Sequence, residues 1–254
     1  MQETLEEVAH PLHFREFGEG GVRILFVHGW MVSGRVWDRL LPLLPDFRAI
    51  VPDLRGSGAS NTAGGSASLD DYVADLAALC ESLDLRDVHL VGHSMGGQIA
   101  TLLAVRQPAR FRTLTLLNPV PVHGMALPEE LLPLFRNSGG NRESFGRILD
   151  MACLRLPADA RSGLLEDALK ISPALISAGF DAWRLGCNDA ALDAAAMPVT
   201  VFATDDPFLS PAFLEQEVVA RLSDARLEYL PGAGHYPQLE MPADIAARLR
   251  NVFG

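Results

Sequence analysis

Val88-His89-Leu90-Val91-Gly92-His93-Ser94-Met95-Gly96-Gly97-Gln98-Ile99-Ala100 decides how this chain is read. The apolar run at 88–91 has the length and composition of a strand buried on both faces. A helical pattern starts at Gln98, runs to Arg106 and closes near Pro108. Between them lies Gly92-His93-Ser94-Met95-Gly96, a G-x-S-x-G turn in which a strand passes directly into a helix. Such a turn strains the serine backbone, and Gly92 and Gly96 let neighbouring backbone approach without a Cβ clash. The Ser94 oxygen then projects above the sheet at a helix N-terminus, where developing negative charge is favoured. The plain alternative is a helix-capping serine between close-packed glycines. The strand before it and the helix after it favour a nucleophile.

Outward from this turn the same alternation repeats. Apolar runs at 23–27, 48–51, 114–117, 199–202 and 226–230 each stop at turn residues. Helical patterns occupy 69–85, with Ser68 as N-cap, then 211–222 and 242–253, the last two with Pro near the start. This predicts an α/β fold with a mostly parallel, doubly wound sheet. Residues 13–17 add an antiparallel edge strand. The stretch 119–197 has no strand signal and four helical patterns, at 128–136, 142–154, 158–171 and 173–185. It reads as a helical cap inserted into a core domain made of 1–118 and 198–254. Gly-Gly at 64–65 and at 139–140 read as ordinary loops.

Composition limits the function classes. The 254 residues are 48% hydrophobic and 21% charged, which excludes a largely disordered chain. The formal net charge of −11 argues against nucleic acid or an anionic membrane as the main partner. The three cysteines, Cys80, Cys153 and Cys187, are far apart and form no zinc or disulfide pattern. Cys153 and Cys187 read as small buried hydrophobes. The acidic N-terminus lacks the basic and apolar regions of a signal peptide, so a cytoplasmic protein is expected.

A nucleophilic serine needs a base. His235, in Gly232-Ala233-Gly234-His235, follows the last strand and lies at the same sheet edge as Ser94. A solvent-exposed loop histidine is the alternative. His93 should point away from the site and His28 should brace its own loop. His10, His13, His89 and His123 have no catalytic context. The imidazole needs an orienting carboxylate, and Asp205 and Asp206 both follow the strand at 199–202. The order Ser94, Asp, His235 suits this scaffold, whereas the preceding strand ends at Asn118, which carries no charge. An oxyanion hole would use the backbone N–H groups of Met95 and Trp30. The Trp30 ring would wall an acyl pocket, joined by Met151 and Trp183 from the cap.

With these residues in place, the sequence resembles the α/β-hydrolase superfamily over nearly its whole length. The resemblance rests on His28-Gly29-Trp30, Asp53-Leu54-Arg55-Gly56-Ser57-Gly58-Ala59-Ser60, the Ser94 turn, Ala203-Thr204-Asp205-Asp206-Pro207 and Gly232-Ala233-Gly234-His235. The family's acid block reads Gly-x-x-Asp; with Ala203 in the glycine's place, the resemblance puts the acid at Asp206. Asp53 and Arg55 match a structural block. Serine at the nucleophile position is unlike haloalkane dehalogenases and epoxide hydrolases. The oxyanion loop lacks the Gly-x-Gly-Pro-Gly run of many carbon–carbon bond hydrolases. It is similar to the His-Gly-Trp of pimeloyl-carrier-protein methyl ester esterases and of cofactor-free haloperoxidases. Residues 119–197 hold seven basic against ten acidic side chains, which does not suit docking of an acidic carrier protein.

The resemblance implies a serine esterase acting on a small or medium apolar ester, or a lactone, with no metal or organic cofactor. It also allows a ligand receptor of slow or single turnover, and a cofactor-free perhydrolase or haloperoxidase-type activity.

Overall fold

The computed structural model describes residues 12–60, 67–187 and 191–254. Seven strands form one sheet: β1 (Phe14–Phe17), β2 (Arg23–Val27), β3 (Arg48–Pro52), β4 (Val88–His93), β5 (Phe111–Leu117), β6 (Val199–Ala203) and β7 (Ala225–Tyr229). Their spatial order is β1-β3-β2-β4-β5-β6-β7. β1 runs antiparallel to β3, and every other pairing is parallel. All six residues of β4 and all five of β6 are buried. Each Val, Leu or Phe so buried contributes about 1.5–3 kcal/mol. That accounts for the unbroken apolar runs: neither sheet face is left to water.

The chain leaves β2 toward β3 on one side and returns to place β4 on the other, with Val27 opposite Gly92. At such a reversal the loops at the strand C-terminal ends diverge and open a crevice. His28-Gly29-Trp30 and Ser94 leave the sheet at this point.

Helices α1 (Leu69–Ser82) and α2 (Met95–Arg106) come from the first half of the chain. α1 starts in a capping box. Ser68 Oγ accepts from the Asp71 N–H at 3.2 Å and Asp71 Oδ2 accepts from the Ser68 N–H at 3.1 Å. Its expected extension to residue 85 fails, because Asp84 takes a left-handed φ of +42°. α2 begins three residues earlier than its apolar pattern, directly after Ser94.

Between β5 and β6 come α3 (Leu132–Arg136), α4 (Arg142–Ala152), α5 (Ala158–Lys170) and α6 (Pro173–Leu185), with no strand among the described residues. The first pattern, expected over 128–136, starts only after the extended Pro128 and splits into a 3-10 turn and a short helix, where Pro133 has no N–H to donate back into the turn before it. α4 stops two residues short of expectation where Cys153 turns extended. Gly139-Gly140 forms the loop between α3 and α4. Gly64-Gly65 lies outside the described residues. After β6 come α7 (Pro211–Glu217), α8 (Pro237–Glu240) and α9 (Pro242–Phe253). The helix expected over 211–222 breaks at Val218 and ends as a 3-10 turn. α8 has four residues, too few to show a helical period in the sequence. Among the described residues, no helix is long and apolar enough to cross a membrane.

Candidate active site

Ser94 has φ +56° and ψ −124°, a conformation that costs an L residue about 1–3 kcal/mol. The surroundings hold it there. Its N–H donates to Leu117 O at 3.1 Å, and its carbonyl accepts from Gly97, Gln98 and Val120. A Cβ at Gly92 would lie 2.5 Å from Gly96 O, and one at Gly96 only 2.3 Å from His28 O. No larger residue fits either place, so the tight turn follows from the two glycines.

His235 sits in the loop after β7, and its Nδ1 lies 2.6 Å from Asp206 Oδ2. Asp206 is buried, and its other oxygen accepts the N–H groups of Phe208 and Leu209. Asp205 turns away. It accepts from the Tyr229 hydroxyl and from the Gly232 N–H, the latter at 2.7 Å, and these donors hold its carboxyl below the usual range. The geometry separates two aspartates that the residues alone left equivalent.

Ser94 and His235 line one cavity of about 590 Å³, counted out to its mouth. No hydrogen bond joins the two side chains here, a contact that in ligand-free sites often tightens only with substrate. Trp30 and Trp183 line this cavity. Met151 does not. α4 presents Phe145, Ile148, Leu149 and Ala152 to the cavity, and helical spacing turns residue 151 about 100° from that face. Phe135, Phe208 and Leu127 add further apolar wall that the sequence did not single out. The Trp30 ring stacks on Phe135 and its Nε1 donates to Ile176 O at 2.9 Å, so it serves packing and wall together. The backbone N–H groups of Trp30 and Met95 make no hydrogen bond among the described residues. Met95 also lines a smaller neighbouring cavity.

His28 braces two loops. Its Nδ1–H donates to Gly29 O at 2.9 Å, and its Nε2 accepts from the Leu54 N–H at 2.9 Å. Burial lowers its pKa. His93 does not line the cavity, yet it is not remote either. Its ring packs 4.9 Å from that of His235, and its Nε2–H donates to His235 O at 2.7 Å. Burial, reinforced by the neighbouring His235, holds His93 well below the usual histidine pKa, hence neutral. His13, His89 and His123 pair with Asp53, Thr113 and Glu217, away from the cavity. His10 lies outside the described residues. Cys153 and Cys187 are half-buried rather than buried. Burial pushes the Cys153 thiol up, with Glu240 and Asp206 adding to the effect.

Asn118 carries no charge to orient an imidazole, and the structure gives it another task. Its amide donates to Thr204 Oγ1 at 2.8 Å and to Gly234 O at 3.2 Å, while its Oδ1 accepts from the Thr204 N–H at 3.1 Å. It ties the ends of β5 and β6 to the loop carrying His235. Asp53 likewise holds its surroundings, accepting from the Gly34 and Ala59 N–H groups. Among the described residues, no group of three or more His, Cys, Asp or Glu is placed to hold a metal ion.

Residues 24–248 match the model of the alpha/beta hydrolase family. The lipase LipV of Mycobacterium tuberculosis is 30% identical, over 96% of this chain and 98% of that protein. A protein named as the magnesium-chelatase 30 kDa subunit of Rhodobacter capsulatus is also 30% identical, over 85% of this chain and 81% of its own. Among solved structures, a thermophilic esterase from Thermogutta terrifontis superposes with a TM-score of 0.79 at 27% identity, covering 95% of this chain and 92% of that one.

Proposed function

Because the chain belongs to the alpha/beta hydrolase family, we propose that it is a serine hydrolase of small or medium, uncharged carboxylic esters or lactones. One observation carries the reading: a strained serine opens into the same apolar cavity as a histidine whose far nitrogen is held by a buried aspartate at 2.6 Å. The lipase and esterase relatives support ester chemistry in particular.

In this reading His235 Nε2 takes the Ser94 proton as Oγ attacks the acyl carbon. Asp206 keeps Nδ1 protonated and stabilises the imidazolium that forms. The oxygen of the tetrahedral intermediate sits between the N–H groups of Trp30 and Met95, both free to donate. His235 then protonates the leaving alcohol. Water, deprotonated by the same imidazole, attacks the acyl-enzyme and releases the acid and free Ser94. Residues 119–197 act as a cap on the core of 1–118 and 198–254, and α4 with α6 supplies the acyl wall. Apart from His235 and the phenol of Tyr236, no ionisable side chain among the described residues lines the cavity, so a charged acyl group would be desolvated without a partner there.

The test is a series of p-nitrophenyl esters of rising acyl length, with Ser94→Ala alongside. A rate maximum at a short or medium chain is expected, with a loss of at least about 10⁴-fold in the variant. Wild-type turnover by Ser94→Ala would overturn the assignment.

A further inference from the structure

One buried carboxylate joins two parts of the chain that the proposed mechanism treats separately. Glu240 ends α8 and is 8% exposed. Its Oε2 accepts the N–H groups of Leu154 at 3.0 Å, Arg155 at 2.9 Å and Gly234 at 3.0 Å. Its Oε1 accepts the N–H of Tyr236 at 3.3 Å. Leu154 and Arg155 follow the end of α4, where the helix no longer supplies partners. Gly234 and Tyr236 flank His235. A fifth bond closes the joint directly, from the His235 N–H to Ala152 O at 2.9 Å. The contact leaves no slack, since a Cβ at Gly234 would lie 2.4 Å from Ala152 O.

α4 itself presents Phe145, Ile148 and Leu149 to the cavity. The wall that meets the acyl chain and the loop that carries the base are therefore mounted on the same carboxylate. Hydrogen bonds from backbone N–H groups to a carboxylate are stronger than those between neutral groups, and buried donors left without one are costly. Nothing else among the described residues bonds these four N–H groups.

We propose that Glu240 is a positioning residue that locks α4 to the His235 loop, so that the acyl wall and the general base move as one body. This rests on the reading of His235 as the base. An acyl chain that seats against α4 then meets an imidazole already in place. Without the clamp, acyl fit and imidazole position separate.

The experiment uses the full chain with Glu240→Gln, Glu240→Ala and Leu154→Pro. Leu154→Pro leaves Glu240 intact and deletes one donor. Its side chain is 55% exposed, and Cys153 before it already has the extended φ −106°, ψ 146° that a proline requires. Rates across the p-nitrophenyl ester series are expressed per folded molecule, with the folded fraction taken from thermal melts. Displacing the base by about an ångström costs about 10²-fold, which is the loss expected in kcat for Glu240→Ala, with KM changing much less. Glu240→Gln keeps one acceptor oxygen but turns an NH₂ toward an N–H donor, so it should fall between Ala and wild type. Leu154→Pro should lose severalfold. In all three the acyl-length maximum flattens. Amide hydrogen exchange should rise together in 152–156 and 232–236.

Unchanged kcat per folded molecule with an unchanged acyl profile would reduce Glu240 to a fold-stabilising residue and overturn the proposal. So would faster exchange in only one of the two segments. If Ser94→Ala, run in parallel, keeps its turnover, the catalytic reading fails, while the exchange data still decide whether the clamp exists.

Discussion

Asp205 and Asp206 are adjacent carboxylates with different surroundings, and their surroundings set their tasks. Asp206 is buried and meets the imidazole of His235 at 2.6 Å. Asp205 closes a turn by accepting from Tyr229 and Gly232. In the proposed mechanism only Asp206 is needed to hold the imidazole tautomer. Asp206→Asn should therefore lower kcat by about 10⁴-fold with the fold intact, because an amide presents an N–H where the imidazole needs an acceptor. Asp205→Asn should change kcat less than about threefold and lower the melting temperature slightly, as surface substitutions do. Steady-state kinetics on one ester decide the matter. A large loss from Asp205→Asn and none from Asp206→Asn would exchange their roles.

Element by element, α4 shows how helical geometry turns a list of apolar residues into a wall. Phe145, Ile148, Leu149 and Ala152 share one face and line the cavity, whereas Met151 faces elsewhere. A period of 3.6 residues fixes which residues share a face but not which face meets the site; that is set by contacts after Ala152 that no local pattern announces. Ile148→Ala removes side-chain volume from the wall. It should move the acyl optimum longer by roughly two methylenes and cost about 2 kcal/mol of stability. Ile148→Phe should shorten the optimum. Met151→Ala should leave the optimum where it is. The p-nitrophenyl ester series reads all three, and an optimum that shifts with residue 151 but not with residue 148 would show that the cavity is not the acyl pocket.

At the scale of the molecule, what the sequence revealed was what is contiguous in it. The passage from β4 through Ser94 to α2 is a single run of residues, and His235 and the aspartates each follow their own strand, so order and edge were legible. Asn118, Glu240 and the contact of His93 with His235 were not. Asn118 reaches Thr204 86 residues away and Glu240 reaches Leu154 86 residues away, and neither carries a local signal that separates it from a loop or surface residue. His89 and His93 share this silence, and together with His28 they have a consequence for the whole fold. His28, His89 and His93 are all buried with lowered pKa, and burial takes His89 from 6.5 to about 4, with Arg112 nearby acting in the same direction and Asp87 against it. Between those two values the unfolded chain binds protons that the folded chain refuses, so stability present above pH 6.5 is lost as pH falls toward 4. The lowered carboxylates Asp53, Asp159 and Asp205 lose their contribution mainly below their ordinary 3.8, at the acid end of this window and beneath it. The urea midpoint of the wild type should therefore fall steadily over that range. His89→Phe, which keeps a ring against Phe253, should show a shallower slope, because one of the three proton-binding groups has gone from the unfolded chain. Equal slopes for the two proteins would mean that His89 stays solvated in the folded state and that acid sensitivity arises elsewhere.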